Sequence, residues 1–252
     1  MKNIILEGKG LCKTFTNGQV ASHVIRNLDV EIYEGDFTVI MGTSGAGKST
    51  LLYMLSGIDT ITSGEILLGN KRVDQMKEKE MAKIRRQDIG FVFQEPNLLE
   101  DFTVFENVAM SGYLLTKNRA AVNECCTELL KDVDMLEHAD KYPSQLSGGQ
   151  KQRVAIVRSL INAPNIVFAD EPTGALNATM SKSVMDLLTE VHNKNQSILM
   201  VTHDIKAASR ANRLLYIKDG KIDGELRFDN FSTEKLEDRE KQVFDFIMSK
   251  GW

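Results

Sequence analysis

The chain has 252 residues, 42% of them hydrophobic and 26% charged, which gives it the composition of a globular protein with room for a buried core. Its formal net charge is −4, with no basic excess and no Lys/Arg block, so nucleic acid is not an expected partner. No segment reaches the roughly eighteen apolar residues of a membrane span, and the amino-terminal run Ile4–Leu6 is too short for a signal peptide. Any membrane-spanning part of its machinery is expected on another chain.

The stretch up to about Glu34 reads as strand-rich and punctuated by turns. Within it, Phe15 follows Lys13 and Thr14, and pattern alone favours a core phenylalanine. Residues 36–42 form a short apolar run that predicts a buried strand. It ends in Gly42-Thr43-Ser44-Gly45-Ala46-Gly47-Lys48-Ser49, a G-x-x-x-x-G-K-[ST] loop, and a helix is expected from Lys48 to about Ser56. In that strand–loop–helix context the glycines let backbone N–H groups wrap phosphates. Lys48 brings a compact charge to them, and Ser49 has the hydroxyl for Mg²⁺. By itself the loop would arise by chance in roughly one percent of chains of this length.

Residues 64–73 again look strand-rich. Ile89–Phe93 is a second apolar strand ending at Gln94, whose amide suits a metal shell or an attacking water. Between about 96 and 162 apolar residues recur at helical spacing, as in Val122, Leu129, Leu130 and Val133, which predicts an inserted helical subdomain. Near its end stands Leu146-Ser147-Gly148-Gly149-Gln150, a helix start built from small residues that lets backbone N–H groups reach an anion. A third strand, Ile166–Ala169, ends at Asp170-Glu171, a pair suited to hold Mg²⁺ and to polarise a water. A fourth, Ser197–Thr202, ends at His203, placed to bond a terminal phosphate. Continuous apolar strands imply a mainly parallel sheet buried on both faces, with ligands at the carboxyl ends. Lys48, Gln94, Asp170, Glu171 and His203 all fall there.

His23, His138 and His192 have no motif around them and are read as structural. Cys12, Cys125 and Cys126 make neither an even framework nor a C-x-x-C spacing, so disulfides and structural zinc are not expected and a reducing compartment fits. Residues 229–252 predict a final helix capped by Ser232 or Thr233. Glu237, Asp238 and Glu240 would face water, and Leu236, Val243, Phe244, Ile247 and Met248 would pack on the parent domain.

Taken in order, Phe15, GTSGAGKST at 42–50, Gln94, LSGGQ at 146–150, IVFADE at 166–171 and His203 resemble the ATPase subunit of an ABC (ATP-binding cassette) transporter over about 4–226. The resemblance implies a P-loop α/β fold: a nucleotide-binding domain over 1–228, with an antiparallel β subdomain and the helical insertion, then an extension at 229–252. It implies ATP and Mg²⁺, with Phe15 stacking on adenine, residues 42–50 (Thr50 included) around the phosphates, and Ser49, Gln94 and Asp170 on the metal. Glu171, Gln94 and His203 are then catalytic. It also implies a head-to-tail dimer in which Ser147, Gly148, Gly149 and Gln150 serve the opposing copy's ATP, and a membrane permease docking near 95–108 at the cytoplasmic face of a bacterial membrane.

Within the family, FVFQEPNLLEDFTVFENV (91–108) and ADEPTGAL (169–176) resemble the lipoprotein-release and macrolide-export branch. The length, the KDGK segment (218–221) and the tail resemble the ATPases of bacitracin and antimicrobial-peptide resistance transporters. A regulatory relative acting on cell-wall enzymes through a membrane protein is a further reading. One departure stands out: the family usually has Asp where this chain has Asn177, at a position that contacts the opposing phosphate loop.

Overall fold

The computed structural model describes residues 2–18, 20–229 and 231–252. The chain runs β1 (Ile4–Asn17), β2 (Val20–Tyr33), β3 (Phe37–Gly42), α1 (Lys48–Leu55), β4 (Ser63–Leu68), β5 (Lys71–Arg72), α2 (Glu78–Gln87), β6 (Ile89–Val92), α3 (Val104–Tyr113), α4 (Arg119–Asp132), α5 (Gly148–Leu160), β7 (Ile166–Asp170), α6 (Ala178–Asn193), β8 (Ser197–Val201), α7 (Ile205–Ala208), β9 (Arg213–Lys218), β10 (Lys221–Arg227) and α8 (Leu236–Ser249). Two compact units result, one from Met1–Met81 with Asn195–Trp252, the other from Ala82–Lys194.

The first unit holds two sheets. One is antiparallel, in the order β2-β1-β4-β5. In the other, β3 lies between β8 and β9 and runs parallel to both, while β10 closes the edge antiparallel to β9. A strand covered on both sides needs no polar face, and all six residues of β3 and all five of β8 are buried. β10 alternates between exposed and half-buried positions, as an edge strand does. The register pairs Ile40 with Val201, so β3 and β8 end together and their following loops leave from one edge.

The carboxyl-terminal helix differs from its expected form. Neither Ser232 nor Thr233 caps α8: a 3₁₀ turn over Thr233–Lys235 intervenes, and the residue before α8 is Lys235, with no side-chain cap bond. Val243 and Ile247 are buried, but Phe244 and Met248 are about half exposed (49% and 50%). Arg239 takes up the burial instead. Its guanidinium donates to Ser209 O at 3.0 Å, Ala211 O at 3.2 Å and the Asp229 carbonyl, and lies over the Phe228 ring. A helical-wheel reading of apolar residues has no place for a buried arginine that serves three carbonyls.

In the second unit β6 and β7 run parallel, pairing Phe91 with Phe168 and Val92 with Ala169, so they too end together. α4 buries Val122, Cys126 and Leu130 at four-residue spacing. Burial pushes the Cys126 thiol up to about 12, and all three cysteines are free. No helix among the described residues is long and apolar enough to cross a membrane.

Helix starts in this chain fall into two kinds. α3 to α7 are each capped by a side chain: Thr103, Asn118, Ser147, Asn177 and Asp204 accept from a backbone N–H in the first turn. α1 and α8 have no such bond: α8 follows Lys235, whose side chain does not cap it, and α1 begins at Gly47, which has no side chain to offer.

Candidate active site

The loop between β3 and α1 is shaped by close backbone approach. Gly42 has φ 154°, and a Cβ there would lie 2.1 Å from Ile217 O on β9. Gly47 has φ 98°, and its Cβ would lie 2.7 Å from the Ile25 side chain. Side chains are excluded at both places, so the loop folds tightly over its own helix start. Gly45, with φ 78° and open space around it, forms the exposed crest together with Ser44. Lys48 Nζ donates to Gly42 O at 2.9 Å and Thr43 O at 3.0 Å, which arches the loop around its ammonium. The result is a concave run of backbone and one cation at a helix start without a side-chain cap, which is the chemistry of a phosphate cradle. Thr43, Ala46, Ser49 and Thr50 belong to the same turn and first helical turn.

His203 follows β8, the strand beside β3, so it leaves the sheet at the edge where the loop begins. It is exposed, and Asp204 next to it caps α7 by accepting from Lys206 N–H at 2.8 Å. Phe15 corrects the pattern-based expectation of a core residue: it is 46% exposed. The Lys13 ammonium lies 4.9 Å from its ring centroid, held by Asp59 at 2.7 Å and by Thr60 O at 2.5 Å. An aromatic ring offered to solvent is what stacking on a base requires.

In the second unit Gln94 and Asp170-Glu171 follow neighbouring parallel strands and so emerge at one edge. Asp170 is 8% exposed. Glu171 holds φ at 45°, left-handed for a non-glycine residue, and its carbonyl accepts from Gly174 N–H at 2.9 Å. Gly174 brings the pair together, because a Cβ there would lie 2.9 Å from Gln94 Nε2 and 3.3 Å from Glu171 Oε2. Gly174 keeps a negative φ, so space rather than conformation requires glycine there. The sequence reading missed it; the signal was a glycine three residues past the carboxylate.

Helix α5 starts in a capping box. Ser147 Oγ accepts from Gln150 N–H at 3.3 Å, and Gln150 Oε1 accepts from Ser147 N–H at 2.9 Å. The box takes the N–H groups of residues 147 and 150 and not those of Gly148 and Gly149. A Cβ on Gly149 would meet Met180 at 3.2 Å, and one on Gly148 would meet Leu176 at 3.1 Å, so the start of α5 lies against the Asn177 turn. Further along, α5 grips the segment around Gln94. Buried Gln152 donates to Phe93 O at 2.9 Å, and Arg158 donates to Pro96 O and Asn97 O, both at 2.7 Å. Burial pulls the Arg158 guanidinium below its ordinary value, and the carbonyls face it as acceptors. Asn107, 2% exposed, donates to Leu99, Phe102 and Thr103 carbonyls and accepts from Leu99 N–H, which fixes the 99–103 turn. Gln152, Arg158 and Asn107 were also missed, since their partners are backbone groups, distant in the chain for Gln152 and Arg158, that carry no sequence mark.

No group of three or more His, Cys, Asp or Glu among the described residues is placed to hold a metal. The donors assigned from sequence are a hydroxyl, an amide and one carboxylate (Ser49, Gln94, Asp170). That set suits Mg²⁺, which keeps waters and phosphate oxygens and needs few protein ligands.

Gly174→Ala is expected to lower the steady-state ATPase rate roughly ten- to hundredfold while leaving nucleotide affinity and thermal stability near wild type. The added methyl displaces the ends of two flexible side chains and no backbone. Turnover, nucleotide titration and a melting curve on the same preparation check it.

A family model described as ABC transporter matches residues 25–174. A dimeric structure of a post-hydrolysis state of the ATP-binding cassette MJ0796 bound to ADP and Pi is 36% identical, spans 90% of this chain and 100% of its own, and superposes with a TM-score of 0.81. A dimeric structure of MJ0796 described as a bacterial ABC transporter cassette is 37% identical over the same shares, with a TM-score of 0.80. With its phosphate loop, its strand-end carboxylates and its glycine helix start in place, the chain belongs to the ABC transporter family as an ATP-binding cassette with ATPase activity.

Proposed function

We propose that this cassette hydrolyses ATP as a head-to-tail pair at the cytoplasmic face of a bacterial membrane and thereby powers a permease. The observation that carries the reading is the pair of helix starts. α1 opens with an uncapped glycine, and α5 opens with two glycines whose N–H groups lie outside the capping box. One chain thus has two anion-facing surfaces, and two copies give each ATP one of each. The relatives are described as dimers, and one of them holds ADP and Pi.

In the pair, residues 42–50 of one copy wrap the phosphates and Phe15 stacks on adenine. Ser147, Gly148, Gly149 and Gln150 of the other copy close on the terminal phosphate, where a helix amino terminus favours negative charge. Ser49, Gln94 and Asp170 would hold Mg²⁺, which would supply positive charge against the phosphates. Glu171 takes the proton of the attacking water, Gln94 orients that water, and His203 donates to the γ-phosphate. Product formation removes the group that joins the two copies.

Residues 95–108 are the permease-facing stretch. They expose Leu99 (51%) among Glu95, Glu100 and Asp101, a surface matched to a short helix with apolar and basic residues. Arg158 ties this stretch, and Gln152 the Phe93 carbonyl just before it, to the helix that starts at Gly148, so movement at either end reaches the other. The cargo we assign is an antimicrobial peptide of the bacitracin or lantibiotic type, on the likeness of residues 218–221 and the tail. A lipoprotein-release or macrolide-export system is the alternative, on the likeness of residues 91–108.

Three measurements test this reading. Glu171→Gln is expected to run as a dimer on a sizing column with ATP and Mg²⁺; a monomer there overturns the sandwich or the role of Glu171. Cassette solubilised from native membranes is expected to bring down a permease, and one with a large extracellular domain supports the peptide cargo. Asn177 caps α6 by accepting from Met180 N–H at 3.0 Å, a bond that Asp makes equally well. Asn177→Asp therefore changes charge and leaves the fold, and is expected to raise steady-state turnover about two- to fivefold. An equal or lower rate counts against a rate-limiting role for the missing charge.

A further inference from the structure

Gln150 uses both ends of its side-chain amide. Oε1 accepts from Ser147 N–H at 2.9 Å, and Nε2 lies 3.0 Å from His138 Nε2. Hydrogen-bond bookkeeping fixes the roles. The Ser147 N–H can only donate, so the amide oxygen must face it and the amide nitrogen must face the imidazole. The amide nitrogen donates, so His138 Nε2 accepts, and the proton of the neutral ring sits on Nδ1. Among the described residues, His138 Nδ1 is buried and has no hydrogen-bond partner. The ring thus leaves one nitrogen unserved and keeps the other as an acceptor for Gln150.

His138 is rigidly mounted for this contact. It ends the 3₁₀ turn Leu136–His138, and its N–H donates to the carbonyl of Met135, a residue that is 1% exposed. Just before that turn, Val133 O accepts from Arg153 on α5 at 3.1 Å, so the platform is bonded to the helix it serves. Nothing in the local sequence marks this histidine.

We infer that His138 is a positioning residue for the start of α5: through Gln150 it sets the Ser147 backbone and, with it, the placement of the Gly148 and Gly149 N–H groups that the capping box leaves out. This rests on the reading that residues 147–150 act on the opposing copy's ATP. His138 touches no nucleotide, so its loss leaves ATP binding by a single copy unchanged and weakens only closure of the pair.

The test uses the full chain carrying Glu171→Gln, with two readouts: affinity of the isolated copy for a fluorescent ATP analogue, and the ATP concentration that half-saturates dimer formation by light scattering. His138→Leu, which removes the acceptor, is expected to raise the dimerisation midpoint about fivefold with analogue affinity unchanged. His138→Gln, which restores an acceptor, is expected to recover most of that shift. On a Gln150→Ala background, His138→Leu is expected to add nothing, because the route is gone. A midpoint within twofold of the parent for His138→Leu overturns the inference and leaves the sandwich reading standing. Equal impairment by Leu and Gln, or additive effects on Gln150→Ala, overturns it in favour of simple packing. A parent that never dimerises overturns the sandwich reading, and this inference with it.

Discussion

Backbone N–H groups hold an anion well only when nothing else in the chain holds them. That constraint orders the whole cassette. Five helices have their first turn capped by a side chain, and the helix after the phosphate loop, like α8, has none. Gly42 pairs with Ile217 on β9 too closely for a side chain, and Lys48 draws the loop around its ammonium at the uncapped helix start. α5 solves the same problem differently. It satisfies residues 147 and 150 with each other and leaves the N–H groups of the two glycines between them outside the cap. A cap there does not compete with an anion, because it serves different N–H groups.

Parallel strands supply the rest. In each unit two neighbouring parallel strands end at the same edge, and polar residues singled out from the sequence stand on the loops that follow: the phosphate loop and His203 in one unit, Gln94 and Glu171 in the other. The strands are apolar throughout because both faces are covered, so polar chemistry is confined to their ends. Gly174 then acts by absence. Its missing methyl leaves the space in which an amide and a carboxylate approach the same point.

Much of this was legible in the residues, for identifiable reasons. Continuous apolar runs over 37–42, 166–170 and 197–201 mark buried strands, and Ser147-x-x-Gln150 is a helix-start pattern whose physics is local. What escaped was non-local. Phe15 alternates like a core residue, and only the strand's place in the sheet leaves its ring exposed above Lys13. Arg158 and Gln152 bond backbone carbonyls far along the chain, Asn107 those of the turn before its helix, and a carbonyl has no letter in the sequence. Arg239 on α8 belongs to the same class: a cation buried for the sake of three carbonyls displaced the apolar stripe drawn for that helix.

Residues assigned to the opposing copy, its nucleotide or its phosphate loop, also have work inside their own chain. Ser147 caps α5, Gln150 completes that cap and meets His138, and Asn177 caps α6. The two helix starts are in contact through Gly149 and Met180. A surface assembled from helix caps is set by folding, before any second copy arrives, so closure on ATP loses little side-chain freedom. On the proposed reading, Asn177 and His138 then bear on the same small surface, one by the charge it lacks and the other by the acceptor it provides.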